Sequence, residues 1–272
     1  MSRANKKLKT KKLKNYGYKP NVPKKENYVF GSIFSPVPFE EINPSGDWTS
    51  DLPVTEAQNL NLIEPYACVT FTILNCIEIL IKKKYGLDRN YSDRFLAAVS
   101  DTKEGGNTPD QVCEFLRKIG VVPEELLPFS SDIDSFDKYY APISPKLYEL
   151  ARDFLTEWDF KYEDVPDNNQ AILKALKCSP LGLAVTAWFQ RGSKYYKPEK
   201  WPDNHFTTLI KAESGDYKRV FDSYADGEGD PYLKDVEWET PHSAIKRFYI
   251  KKKVQKKTLW QIILEFIKKM LK

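Results

Sequence analysis

The stretch from Cys68 to Tyr85 constrains the fold most. Val69, Ile73, Cys76, Ile77 and Leu80 mark one helical face and Phe71 and Leu74 another, so the first turns are apolar nearly all round. A helix of that kind has no face to offer water and must be surrounded. The stretch therefore predicts a central, buried helix with other elements packed on it. Lys82, Lys83 and Lys84 stand at its C-terminal end, where the dipole favours cations, and Gly86 closes it. Cys68 opens it, where free backbone N–H groups and the dipole favour a thiolate.

Around that helix the pattern changes along the chain. Ser92 caps a short helix through Phe95 and Val99. Thr108-Pro109-Asp110-Gln111 reads as a capping box with Pro at the first helical position, opening a helix that Gly120 ends. Further helices are expected over 145–158 and 169–177. Leu181–Trp188, Phe206–Lys211, Tyr217–Asp222 and Arg247–Ile250 read as strands, with Ser214-Gly215-Asp216 as a turn between two of them. Helices first and strands later make an α+β chain, expected as a helical lobe and an antiparallel β lobe with a cleft between them. The 272 residues, 41% of them hydrophobic, are enough for such a pair of lobes.

Charge divides the chain. Residues 1–25 hold ten Lys and Arg and no acidic residue, so a net +4 overall leaves −6 for the rest. This arm is expected to be disordered and solvated, with an acidic surface or nucleic acid as a partner. Residues 26–46 read as an extended Pro-rich segment, 47–255 as the domain proper, and 256–272 as a C-terminal amphipathic helix. In that helix the stripe of Leu259, Ile262, Ile263, Phe266, Ile267 and Met270 suits packing on the domain, self-association or a membrane surface. Cys68, Cys76, Cys113 and Cys178 have no paired CxxC spacing, so neither zinc nor a disulfide framework is expected. With no apolar leader at the N-terminus, a reducing, cytoplasmic location is expected.

Three residues in order carry chemistry: Cys68, then His205 at the start of a strand, then Asp222 at the end of the next strand. A thiol at a helix start, an imidazole beside it and a polar group to orient the ring make a nucleophilic site. His242, between Pro241 and Ser243, reads as an exposed loop residue. Gly105 and Gly106 lack a Cβ, so an extended peptide can approach their backbone. Trp188 is expected either to line the cleft or to sit in the core.

With these residues in place, the chain resembles the papain-like (cathepsin-like) cysteine peptidases over about residues 47–253, in the manner of forms from bacterial viruses or uncultured bacteria. Ala67-Cys68-Val69-Thr70-Phe71 is similar to the nucleophile at the helix start. Gly105-Gly106-Asn107-Thr108-Pro109 is similar to the glycine pair before the next helix, and Asn204-His205-Phe206 to the histidine strand. The His205-to-Cys68 separation suits the family's usual spacing of roughly 130–150 residues. The resemblance implies a Cys68–His205–Asp222 triad, an oxyanion hole from Gln58 and the Cys68 N–H, substrate binding by Gly105, Gly106 and Trp188, a polypeptide substrate, and neither metal nor cofactor. The chain departs from the family in three ways. The Cys-Gly-Ser-Cys-Trp wording is absent, Asp222 stands where Asn is usual, and Gln58 lies farther ahead of the cysteine than the family's Gln. Residues 1–46 do not read as the long helical inhibitory pro-segment that many members carry.

Hydrolysis of peptide bonds through an acyl-enzyme is the expected activity. A second reading keeps the fold as an inactive structural or interaction protein, associated with a virion. The long Cys-to-His gap argues against peptidoglycan amide cleavage or transglutamination.

Overall fold

The computed structural model describes residues 14–22, 28–60, 63–224 and 232–254. The remainder of the basic arm and the helix expected over 257–272 lie outside the described residues.

The apolar stretch forms α1 (Cys68–Tyr85), with thirteen of its residues buried and Gly86 closing it at φ 64°. Around it stand α2 (Asp93–Val99), α3 (Pro109–Ile119), α4 (Phe136–Tyr139) and α5 (Pro145–Glu157). Each of α2 and α3 begins where a side chain can satisfy a free N–H. Ser92 Oγ accepts from the Phe95 N–H at 3.0 Å and Thr108 Oγ1 from the Gln111 N–H at 3.2 Å. The box at Thr108 is only half formed. Gln111 sends its amide to Ser100 O (2.7 Å), and the Thr108 N–H goes instead to Asn107 Oδ1 (2.8 Å).

The second half is a sheet. Its strands are β1 (Trp158–Asp164), β2 (Leu181–Val185), β3 (Phe189–Arg191), β4 (Lys194–Tyr196), β5 (His205–Glu213), β6 (Tyr217–Phe221), β7 (Leu233–Glu237) and β8 (Ile245–Lys252), with α6 (Asn169–Leu176) between β1 and β2. The spatial order is β1-β8-β2-β5-β6-β7-β4-β3, antiparallel except where β4 meets β7. The helix expected to run through Trp158 stops at Glu157. From Trp158 the alternation Trp158, Phe160, Tyr162 has the period of a strand, and β1 pairs with β8 from Trp158↔Lys252 to Asp164↔Lys246.

α1 packs on the sheet where the chain needs it for the site. The Thr72 hydroxyl, one turn into the helix, lies 2.9 Å from Cys68 O and 2.8 Å from Phe206 O. Thr208 Oγ1 donates back to Thr72 O at 3.4 Å. These buried bonds set the first turn of α1 beside the first residues of β5. Gly182 on β2 admits the Phe206 ring, whose Cε1 and Cζ would lie 2.6 Å from any Cβ there. Trp48, fully buried, donates its indole N–H to Leu176 O (2.8 Å) and its backbone N–H to Ile210 O (2.9 Å), tying the start of the domain to α6 and β5.

Candidate active site

His205 and Asp222 meet because β5 and β6 form a hairpin. The turn over 214–216 returns the chain so that the start of one strand and the residue after the other share an end of the sheet. Asp222 Oδ1 lies 2.5 Å from His205 Nε2, and neither side chain is exposed. His205 Nδ1 is buried and has no hydrogen-bond partner among the described residues. Cys68, also fully buried, has its sulfur against the next residue of the same strand, where the Phe206 N–H donates to it along with that of Val69. Burial pushes the Cys68 thiol well above its ordinary range, and nearby Glu64 and Asp222 add to the effect against those two N–H donors. The lowered pKa expected of a helix-start thiol is therefore not found in this closed arrangement. The cost of desolvating a buried thiolate exceeds what the helix start returns.

The chain enters α1 through a strained turn. Tyr66 has φ 56°, and Ala67 offers the helix no side-chain cap, its carbonyl accepting instead from the Thr70 and Phe71 N–H groups (2.9 and 3.2 Å).

Gln58, fully buried, packs against the two residues that follow Asp222. Its backbone N–H donates to Ser223 O (2.7 Å), and its Oε1 accepts from Ser223 Oγ (3.1 Å). Its amide nitrogen reaches three acceptors: Tyr16 O at 3.0 Å, Glu64 Oε1 at 3.0 Å and Tyr224 OH at 2.9 Å. Two hydrogens serve three acceptors, so no N–H of that amide is free.

Asp222 is held on every side. Besides His205 it receives the Lys234 ammonium (2.9 Å), the Trp188 indole N–H (3.0 Å) and the Ser223 N–H (2.8 Å). Burial by itself raises this carboxyl, but attraction to His205 and Lys234 outweighs it and brings the pKa down to about 2. Trp188, expected at the groove or in the core, is partly buried against the core and covers the His205–Asp222 pair, its ring 5.8 Å from the imidazole. Tyr224 closes another side at 5.4 Å, as a shield for that bond.

Four of these neighbours were not anticipated: Lys234, Glu64, Tyr16 and Asn204. Asn204 locks the end of β2 to the start of β5, its N–H donating to Val185 O (3.0 Å) and its Oδ1 accepting from the Ala187 N–H (2.8 Å). The remaining three carry no pattern in sequence, since each acts through a contact made only after folding. His242, read as an exposed loop residue, is buried. Its Nδ1–H donates to Ala184 O (2.8 Å) and its Nε2 accepts from Lys218 (3.1 Å), and burial and that cation lower its pKa to about 3.

The groove at Gly105 and Gly106 is filled by the chain itself. Residues 14–19 cross the site, bending at Gly17 (φ 108°). Asn107 brackets it, donating its N–H to Gly17 O (2.9 Å) and accepting the Lys19 N–H (2.9 Å). Tyr16 donates its N–H to Asn204 O (3.1 Å) and lays its ring 5.2 Å from the imidazole. A segment expected to be solvated is thus partly buried on the site, with Tyr16, Gly17 and Tyr18 inside.

No protein-family model matches the chain, and no curated protein matches it in sequence. Among solved structures it is similar to xylellain, a cysteine protease from Xylella fastidiosa, at TM-score 0.66 and 17% identity over 91% of this chain and 99% of that one. It is also similar to the bromelain protease from Ananas comosus in complex with the E64 inhibitor, at TM-score 0.55 and 18% identity over 74% and 96% of the two chains. Digestive procathepsin L 3 of Tenebrio molitor matches at TM-score 0.54 and 16% identity over 86% and 75%. The chain has the α+β papain-like fold of these cysteine proteases.

Proposed function

We propose that the protein is a cysteine peptidase that hydrolyses peptide bonds with Cys68 as nucleophile, His205 as base and acid, and Asp222 as the group that orients the ring. The observation that carries the reading is the state of His205. One ring nitrogen is fixed on Asp222 at 2.5 Å, and the other is buried, unpartnered and on the strand whose next residue touches the Cys68 sulfur. Fixing Nε2 on a carboxylate leaves Nδ1 to exchange a proton with the thiol.

In that chemistry the Cys68 sulfur attacks a peptide carbonyl after its proton passes to Nδ1. The imidazolium returns the proton to the leaving amine, and water, activated by the neutral ring, releases the acyl group. The Cys68 N–H, and the Gln58 amide once the Tyr16 carbonyl leaves it, are the donors assigned to the oxyanion. The carbonyl of Tyr16 already sits on the Gln58 amide. Polypeptide substrates are the class such a groove takes, because its walls offer backbone donors and acceptors at Asn107 and Asn204.

Hydrolysis of a fluorogenic peptide mixture by the full chain, compared with Cys68→Ala and His205→Ala, tests the reading. Each substitution is expected to lower the rate by at least about 10³-fold. A rate unchanged by Cys68→Ala would exclude the mechanism.

A further inference from the structure

We infer that Lys234 is a positioning residue for the reaction: by neutralising Asp222 and occupying its second oxygen, it lets the carboxylate orient the His205 ring without trapping the proton that the ring must hand on. The inference deepens the peptidase reading and rests on it for the reaction, but not for the effect on the ring.

Lys234 stands where the strand pattern calls for an apolar side chain. In β7, Lys234 and Val236 are buried, while Leu233, Asp235 and Glu237 are half-buried. Asp235 is spent on an ion pair with Arg219 (2.7 and 2.9 Å). Lys234, on the buried face, is opposite Val220 of β6, two residues before Asp222. An ammonium carried out of water at such a position needs a counter-charge and hydrogen-bond acceptors.

It has both. Nζ lies 2.9 Å from Asp222 Oδ2 and donates to Tyr224 O (2.9 Å), so it bridges the residues on either side of Ser223. It also stands 5.4 Å from the centre of the Trp188 ring, whose indole N–H takes the same Oδ2 (3.0 Å). Oδ1 is left to His205 Nε2 (2.5 Å) and the Ser223 N–H (2.8 Å). With Oδ2 engaged twice, the carboxylate cannot turn to offer the ring its other oxygen.

Charge adds to geometry. An opposite charge within roughly 4–6 Å shifts a proton equilibrium by about 1–3 units, so a lone buried carboxylate would hold the imidazolium strongly. That proton has to leave for the departing amine. A cation on the far oxygen offsets the hold. The other ionisable groups around the pair are Cys68 on α1, Tyr224 after β6, Tyr16 over the ring, and Glu64. Glu64 is turned to the Tyr224 hydroxyl (2.6 Å) and to Lys14 (3.2 Å), so Lys14 serves Glu64 rather than Asp222.

The test is a cycle of four full-length chains: wild type, Lys234→Met, Asp222→Asn and the two combined. The chain has 2 histidines, so isotope-labelled histidine resolves the His205 Nε2–H proton by NMR. Its resonance is expected to move downfield in Lys234→Met, where the acceptor gains net charge. It should move upfield in Asp222→Asn, where an uncompensated ammonium faces the ring, and lie near the wild-type position in the combined variant. The alkaline limb of the pH profile for Cys68 alkylation by iodoacetamide is expected to follow, up by about one pH unit, down by about one unit, and back. That limb is read in the Gly17→Ala chain, where a Cβ 2.2 Å from Tyr66 O loosens residues 14–19 over the sulfur. Lys234→Gln, which keeps a donor to Oδ2 and loses the charge, replaces Lys234→Met if that chain does not fold, with the same signs expected. Shifts of one sign in both single variants, or none in either, would overturn the inference, because lost packing alone gives no opposite signs. Opposite shifts without hydrolysis of any peptide would leave Lys234 its effect on the ring and remove the peptidase reading.

Discussion

Asp222 is a residue whose role depends on a cation absent from the resemblance. Where the family has a neutral Asn, this chain has a carboxylate, and Lys234 lies 2.9 Å away with both side chains wholly buried. The two charges largely cancel, so the imidazole meets an acceptor of small net charge, close to what an amide would present. Removing one partner leaves the other buried and uncompensated. Lys234→Met is expected to destabilise the protein by about 3 kcal/mol in urea unfolding at pH 7, and adding Asp222→Asn to recover more than half of that loss. The same pair sets an acid limit. Asp222 has a folded pKa of about 2 against an ordinary 3.8, so its stabilisation is complete above pH 4 and lost as pH falls through 2. The stability difference between wild type and Asp222→Asn is therefore expected to shrink between pH 5 and pH 2 in unfolding experiments across that range. Asp222 was legible in sequence because the end of a strand-like run points to it. Lys234 was not, since a lysine in a charged stretch gives no sign that folding will bury it.

At the scale of elements, what could be read was what local chemistry dictates. The caps at Ser92 and Thr108, the glycine after α1 and the hairpin turn over 214–216 all followed from the residues that make them. β3, β4 and β7 escaped because their runs are short and partly exposed, and β1 because its first residue also completes a helical pattern. Two predictions belong here. Gly182→Ala would place a methyl 2.6 Å from the Phe206 ring, next to His205, and is expected to cost about 1–3 kcal/mol by chemical denaturation. Glu124 begins a short turn against α1 and α2, where Glu78 and Asp93 are also buried. Burial and the neighbouring Glu56 raise its pKa to about 7, though the Phe129 N–H bound to it opposes this. A carboxyl that holds its proton more tightly when folded stabilises most below its unfolded pKa, and that contribution disappears as pH rises through 7. Glu124→Gln is expected to raise the melting temperature at pH 8 and to leave it nearly unchanged near pH 4.

Over the whole molecule, the layout of a buried helix against a sheet followed from where helical period gives way to strand period. The order Cys68, His205, Asp222 pointed to the end of the sheet where His205 and Asp222 meet. The basic arm misled for a physical reason: its composition predicts solvation, while residues 14–19 are held by backbone bonds that composition does not encode. Closure of the groove also explains why the Cys68 thiol lies high rather than low, since burial outweighs the helix start. Releasing the segment is expected to bring water to the sulfur and let the N–H groups of α1 and the imidazole favour the thiolate. The alkylation rate of Gly17→Ala should then depend on pH with an apparent pKa well below that of the wild type.

In the proposed mechanism His205 activates Cys68. A peptidyl epoxide added to the Gly17→Ala chain, with every cysteine followed by mass spectrometry, tests it most directly. A single adduct is expected, on Cys68, formed at least about 10²-fold more slowly when His205→Ala is added. An adduct spread over Cys76, Cys113 and Cys178, or a Cys68 rate indifferent to His205→Ala, would contradict it.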